Sequence, residues 1–269
     1  MLGVAIVVGS GCFGLTSTAS AAVCATTVEH GVDVSSGNGT IDFGMVAASG
    51  VKFVYARAAY GTATDTAYAT LAPAARAAGL AFGAYAFFPP SQDPTTQADA
   101  FIADAQIQSG DLVPMVDVET AEGQTPTTIN SELTTWLNVV QQALGVRPLI
   151  YTNVTNWSTL DANDTAFGAA GYPLWVVQTT NTQCATVPTG WSNWSLLQYS
   201  FTGSVPGISP SGSTDLDYFN GADVTTMTVA ASQVAKPSNT VAPTVTGTPT
   251  VGQPLSCSPG TWSGIPSFG

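Results

Sequence analysis

The chain has 269 residues, of which 45% are apolar and only 8% charged, with 17 Asp+Glu against 5 Lys+Arg and a formal net charge of −12. Nucleic-acid binding needs a basic face and docking on an anionic membrane needs basic clusters, so this balance argues against both. His30 is the single histidine, which argues against a His-rich metal centre or a Ser-His-Asp triad; the apolar and aromatic content argues against disorder and for one or two packed domains.

Taken in chain order, Leu2 to Leu15 is apolar and too short to span a bilayer. Ala19-Ser20-Ala21 fits a small-x-small cleavage site, so residues 1–21 read as a secretory signal peptide cut near Ala21, although no Lys or Arg precedes the apolar run. A lipid anchor at Cys12 is a weaker alternative, because the residues before it fit poorly. Secretion permits disulfides. Three cysteines follow the cleavage site: Cys24 and Cys184 flank the main domain and are candidates to pair, while Cys257 lies in a different segment.

The main domain alternates strands and helices. Val32 to Ser35 reads as a strand, Ile41 to Ala48 as a short helix, and Val51 to Ala58 as a strand. Asp65 to Ala78 is an Ala-rich helix stopped by Gly79, with Pro73 arguing against it. Ala81 to Phe88 is a near-continuous apolar strand. Ala98, Phe101, Ile102 and Ala105 recur at helical spacing before Gly110, and Val113 to Glu119 is a strand. Thr125 and Pro126 supply the cap and first-turn proline of the next helix. Its apolar face is Ile129, Leu133, Trp136, Leu137, Val140 and Leu144, and Gly145 stops it. Strands then fall at Pro148 to Thr152, Leu174 to Gln178, Leu196 to Tyr199 and Asp215 to Phe219, the last three with little helix between them. About eight apolar strands, the first five followed by helices, suit a parallel sheet covered on both faces. A closed barrel is one container and an open doubly wound sheet the other; no glycine-rich phosphate loop follows the first strand. Beyond about Ala222 the composition shifts to Pro, Thr and Val, which divides the chain into residues 22–226, a linker at 227–243, and a short strand-and-turn segment at 244–269.

The chemistry lies in carboxylates at strand ends. Asp117 and Glu119 are two apart on one predicted strand, so they face the same way with Cα atoms about 6.6 Å apart. Such a pair can divide into an acid and a base when burial raises one pKa. In a parallel barrel their end of the strand is the active-site end. Closure would also bring Asp33, on the first strand, beside Asp215, on the last. Tyr85, Tyr151, Trp175, Tyr199 and Tyr218 lie near strand ends and could line a glycan groove, although core packing accounts for isolated cases. Arg57, inside an apolar strand, should meet a carboxylate or a substrate oxygen.

Together these segments resemble glycoside hydrolase family 25, the Chalaropsis-type lysozymes. The resemblance is carried by GVDVSSGNGTIDF (31–43), VKFVYARAAYG, AAGLAFGAYAFF, LVPMVDVET with its Asp-x-Glu, RPLIYTN, YPLWVVQT, SLLQYS and STDLDYFNG, all in family order over residues 30–221. It implies an α/β fold, an irregular TIM-like barrel of five β/α units plus three closing strands. It implies hydrolysis of the β-1,4 bond between N-acetylmuramic acid and N-acetylglucosamine, without a cofactor or metal. Glu119 matches the general acid, Asp117 the carboxylate assisting the substrate's acetamido group, and Asp33 and Asp215 the flanking acids. Tyr85 and Tyr151 match substrate-contacting tyrosines, Arg57 stands where a lysine is usual, and Trp175 and Tyr199 complete the expected binding set. The sequence departs from the family at Ala86 (usually His), Tyr60 (commonly acidic), Asn38 (often Gln) and Leu197 (usually Trp). The tail, VTGTPTVGQPLSCSPGTWSG, resembles the opening of a bacterial Ig-like repeat, truncated before its second cysteine. The implied partner is peptidoglycan glycan, met by a secreted, monomeric protein that is extracellular or wall-associated and carries no membrane segment after signal cleavage. The alternatives are a wall-binding protein on the same scaffold with weakened turnover, motivated by the four departures, and a chitinase-like glycosidase, disfavoured because the longer Asp-rich chitinase motif is missing around Asp117.

Overall fold

The computed structural model describes residues 22–230, 238–247, 250, 254–258 and 261–263; the predicted signal peptide lies outside the described residues. Eight strands close into a barrel: β1 (Val28–Val34), β2 (Phe53–Tyr60), β3 (Ala81–Phe87), β4 (Met115–Asp117), β5 (Leu149–Thr152), β6 (Leu174–Val177), β7 (Leu196–Gly203) and β8 (Thr214–Asn220). β1 to β7 run parallel in sequence order, with β1 paired to β2. β8 is antiparallel to both β7 and β1 and completes the closure.

Helices follow the first five strands: α1 (Phe43–Ala48), α2 (Tyr68–Ala77), α3 (Pro94–Ala105), α4 (Pro126–Leu144), and α5 (Val154–Leu160) with α6 (Ala166–Ala169). Their starts are written locally. Asp42, Asp93, Thr125 and Asn153 each accept a hydrogen bond from a first-turn N–H, which satisfies an orphan donor. Gly145 ends α4 at φ 68°, a left-handed backbone that suits a residue without Cβ. Every predicted apolar position of α4 is buried. α2 lies within the predicted Asp65–Ala78 helix and continues through Pro73. Pro73 and Ala69 both lie on the exposed face, where a carbonyl left without its helical N–H can be solvated.

Outside the barrel a second apolar cluster (Leu174, Val176, Ala185, Val187, Trp194 and Leu197) packs beneath the N-terminal residues. There Val23–Cys24 pairs with Cys184–Ala185, and Cys24 and Cys184 form a disulfide. Past the predicted boundary at 226 the chain is still tied to the barrel. Val113 N–H donates to Met227 O, Gly110 N–H to Val229 O, and Val229 N–H to Asp111 O, so the chain stays bound to the segment feeding β4, and Val229 is buried. Inside the predicted linker, Ser238–Val241 pairs with Thr261–Ser263, and in the tail Thr244–Thr246 pairs with Ser256–Ser258; Cys257 is exposed and free.

Asp161, at the end of α5, is wholly buried, and neither carboxyl oxygen has a hydrogen-bond partner. Burial first, and then Asp164, raise its pKa from 3.8 to about 7. The unfolded carboxyl ionises near pH 4 while the folded one keeps its proton to about pH 7. Stability is therefore fully present below pH 4 and falls as pH rises to 7, by about 4 kcal/mol in all. Asp161→Asn is neutral throughout and should remove this slope. In thermal melts the variant is expected to exceed the parent's Tm at pH 8, with the difference shrinking toward pH 4; an equal difference at both pH values would contradict this.

Candidate active site

The site lies at the C-terminal ends of the parallel strands, where closure brings the chain's distant acids together. Asp33 stands directly opposite Asp215 in the β1–β8 register. Asp33 Oδ2 accepts a 2.7 Å hydrogen bond from Gln198 Nε2, and the Gln198 amide oxygen accepts one from the Tyr151 hydroxyl. Asp117 ends β4, in register with Phe87 on one side and Tyr151 on the other, and is buried with Oδ1 unpartnered. The ladder ends there, so Glu119 sits two residues on, outside the strand and exposed at the barrel mouth.

These groups repel one another in a poorly solvated space. Burial and then Asp215 push Asp33 well above the usual carboxylate range, against the hydrogen bond from Gln198. Burial, Glu119 and Asp33 do the same to Asp117, opposed by Arg57. Glu119 is raised by its partial burial and then by Asp215. Burial lifts Asp215 to about 6. Burial and the acid cluster hold the Tyr85 and Tyr151 hydroxyls protonated. Such a cluster holds protons to higher pH than free carboxyls do, and Glu119 is the member that can hand one to a ligand in the mouth.

Arg57 is brought to the site's edge, where Nε and Nη2 each lie 2.9 Å from Asp65 Oδ2. Although burial works against it, Asp65 is held below its ordinary pKa by N–H groups of Ala67 and Ser36 and by Arg57. Asp65 reads in the sequence only as a helix start; the signal for its role is that a strand Arg needs an acid. Tyr60, 44% exposed, stacks on Phe87 with centroids 4.4 Å apart, and the Arg57 guanidinium lies 5.9 Å from its ring. The position that departs from the family thus presents an aromatic face at the barrel rim. Asn38 fastens the loop after β1, donating to Ser213 O and accepting from Ser35 N–H. Ala86 is buried, and Leu197 packs in the outer cluster, away from the acids.

Two predicted binding residues need correction. Trp175 is wholly buried inside the barrel, edge-on to Tyr55 and Tyr151, so it braces Tyr151 and offers no surface to a sugar. Tyr199 follows inward-facing Gln198 and therefore points outward, stacked on Tyr218 at 4.0 Å with the outer cluster. Two residues not singled out in the sequence do belong to the interior. Gln198 bridges Asp33 and Tyr151, and Asp217, two residues after Asp215, is wholly buried on the same strand face. Period-two alternation from Asp215 is the signal that could have found Asp217. Among the described residues there is no group of three or more His, Cys, Asp or Glu placed to hold a metal, and no helix long and apolar enough to cross a membrane.

The family model described as glycosyl hydrolases family 25 matches residues 32–208. The autolytic lysozyme of Clostridium acetobutylicum is 34% identical over 192 residues, covering 71% of this chain and 55% of that protein. Lysozyme M1 of Streptomyces globisporus is 32% identical over 203 residues, covering 71% of this chain and 68% of that protein. The chain thus spans little more than half the length of the clostridial relative. The crystal structure of the bacterial lysozyme from Streptomyces coelicolor superposes with a TM-score of 0.70 at 29% identity, covering 77% of this chain and 99% of that one.

Proposed function

The chain belongs to glycosyl hydrolases family 25, and from that premise we propose that it is a glycoside hydrolase and specifically a secreted muramidase, cleaving the β-1,4 bond between N-acetylmuramic acid and N-acetylglucosamine in peptidoglycan. The observation that carries this reading is the acid cluster: one exposed carboxyl, Glu119, at the mouth, half-buried Asp215 opposite Asp33, and the buried Asp117 and Asp33 behind. Protonated Glu119 gives its proton to the glycosidic oxygen as the bond to the anomeric carbon breaks. The acetamido oxygen of the same sugar attacks that carbon, and Asp117 takes up the positive charge developing on the acetamido N–H. Water then opens the cyclic intermediate with Glu119 returning as base, which restores both groups and retains configuration. Asp215, lifted only to about 6, supplies negative potential toward the cationic transition state, with Asp33 directly beside it, as preorganised charge does in a low-dielectric site. Tyr85 and Tyr151 orient the sugar, and Tyr60 offers it a stacking face.

Residues 1–21 direct export, and the substrate sets the place of action as the cell wall. The test is release of reducing ends from purified peptidoglycan by the full-length protein, beside chitin oligomers. Release from peptidoglycan with little from chitin is expected. Preferential attack on chitin would move the protein to a chitinase-like specificity, and binding without release would make it a wall-binding protein.

A further inference from the structure

Five carboxyl groups, rather than the four expected, meet in the barrel. The fifth is Asp217, wholly buried on β8, in register with Gln198 on β7 and with Gly31 on β1. The space a side chain would take at Gly31 is filled by the Phe53 ring, 2.2 Å from where a Cβ would lie, so one wall around Asp217 is apolar. Neither Asp217 oxygen makes a hydrogen bond of good geometry, and the indole N–H of Trp175, which faces it, is also buried without an acceptor. An ionised carboxylate in that position would be very costly. A protonated one needs an acceptor, and the neighbouring carboxyl on the same inward face is that of Asp33, diagonally across the β8–β1 ladder, where Asp215 stands opposite Asp33 and Asp217 opposite Gly31. Two carboxyls in contact away from water share a proton rather than both ionising.

We propose that Asp217 is a positioning residue: its carboxyl shares one proton with Asp33, and this hydrogen bond, together with the one from Gln198, holds Asp33 as a single fixed anion beside Asp215 and behind Glu119. The inference rests on the muramidase reading and deepens it. The titratable groups around Asp217 are Asp33 from β1, Asp215 on its own strand, Tyr55 from β2, Tyr151 from β5 and Tyr199 from β7. All three tyrosines are shifted upward, so only the carboxyls change charge in the working range. Asp217 acts through Asp33 and touches no substrate.

The experiment compares full-length Asp217→Asn and Asp217→Leu with the parent on purified peptidoglycan, reading kcat, KM and the pH profile, with Glu119→Gln as control. The Asn amide replaces the shared proton as donor. Asp217→Asn should therefore keep kcat within about 3-fold and leave the acid limb in place. Leu fills the space without donating. Asp33 then ionises less readily, so the acid limb should move up by about one pH unit and kcat fall roughly 10-fold, with KM little changed. Should Asp217→Leu not fold, Asp217→Asn decides alone: a loss beyond about 3-fold, or a displaced acid limb, overturns the inference. So does an Asp217→Leu variant that keeps the parent's kcat and profile. A parent that does not cleave overturns the muramidase reading and this inference with it. A parent that cleaves, with an inactive Glu119→Gln, confines failure to Asp217.

Discussion

Glu119→Gln is expected to lower kcat on peptidoglycan by roughly 10²–10⁴-fold, the usual worth of a positioned general acid, with KM changed little. Glutamine keeps the shape and some hydrogen bonding but has no proton to give to the leaving oxygen. Glu119 is the cluster member that meets both requirements of the role. It is exposed at the mouth, and partial burial and then Asp215 raise its pKa above the ordinary glutamate value, which favours the protonated form. Asp33 and Asp117 are buried behind it, and half-buried Asp215, lifted only to about 6, holds its proton less well at neutral pH, so no neighbour should fully rescue the variant. Reducing-end release over a pH series, with a cooperative melt to show folding, checks the prediction. A loss under about 10-fold would remove Glu119 from the role of acid.

Removing the disulfide should cost the most stability. The Cys24–Cys184 bond closes a sequence separation of 160 residues. In the chain-entropy view a loop of that length constrains the unfolded state by about 5 kcal/mol. For a domain of this size such a loss lowers Tm by roughly 10–20 °C. The bond does not stand alone: Val23 also pairs with Ala185, and its carbonyl accepts from Trp194 Nε1 at 2.9 Å, fastening the N-terminal segment over the outer cluster. These contacts keep the folded state in place in the double variant Cys24→Ser/Cys184→Ser, so the change should appear in the unfolding equilibrium rather than as a rearranged fold. Calorimetry on parent and double variant checks it, and a Tm change of only a few degrees would show that the bond contributes little.

The barrel was legible because its segments announce themselves in different ways. Apolar runs such as 81–88 cannot be half-solvated strands, and Thr125-Pro126 and Gly145 bracket α4 within a residue. The meeting of Asp33 with Asp215 followed from closure, since the first and last strands of a barrel must be neighbours. What stayed hidden depended on which way a strand residue faces. Gln198 and Tyr199 are adjacent, and an aromatic next to a polar residue suggests a binding face; in the barrel Gln198 points in and Tyr199 out. Trp175 failed differently, because the residue is inside but lies beneath the floor of the site. Asp217 escaped notice because a buried acid without a partner contradicts the ordinary reading of a charged strand residue, and only the neighbouring Asp33 and Trp175 make sense of it. The α2 helix was legible despite Pro73, whose place on the exposed face accommodates it.

The central claim is that this acid-lined barrel cuts one particular bond of the glycan strand. Its most direct test is the identity of the sugar at each new end: products released by the full-length protein are reduced with borohydride, hydrolysed and identified by mass spectrometry. The account predicts reduced N-acetylmuramic acid at the new ends, absent from the Glu119→Gln digest. Reduced N-acetylglucosamine at those ends, or no new ends from a folded parent, would contradict it.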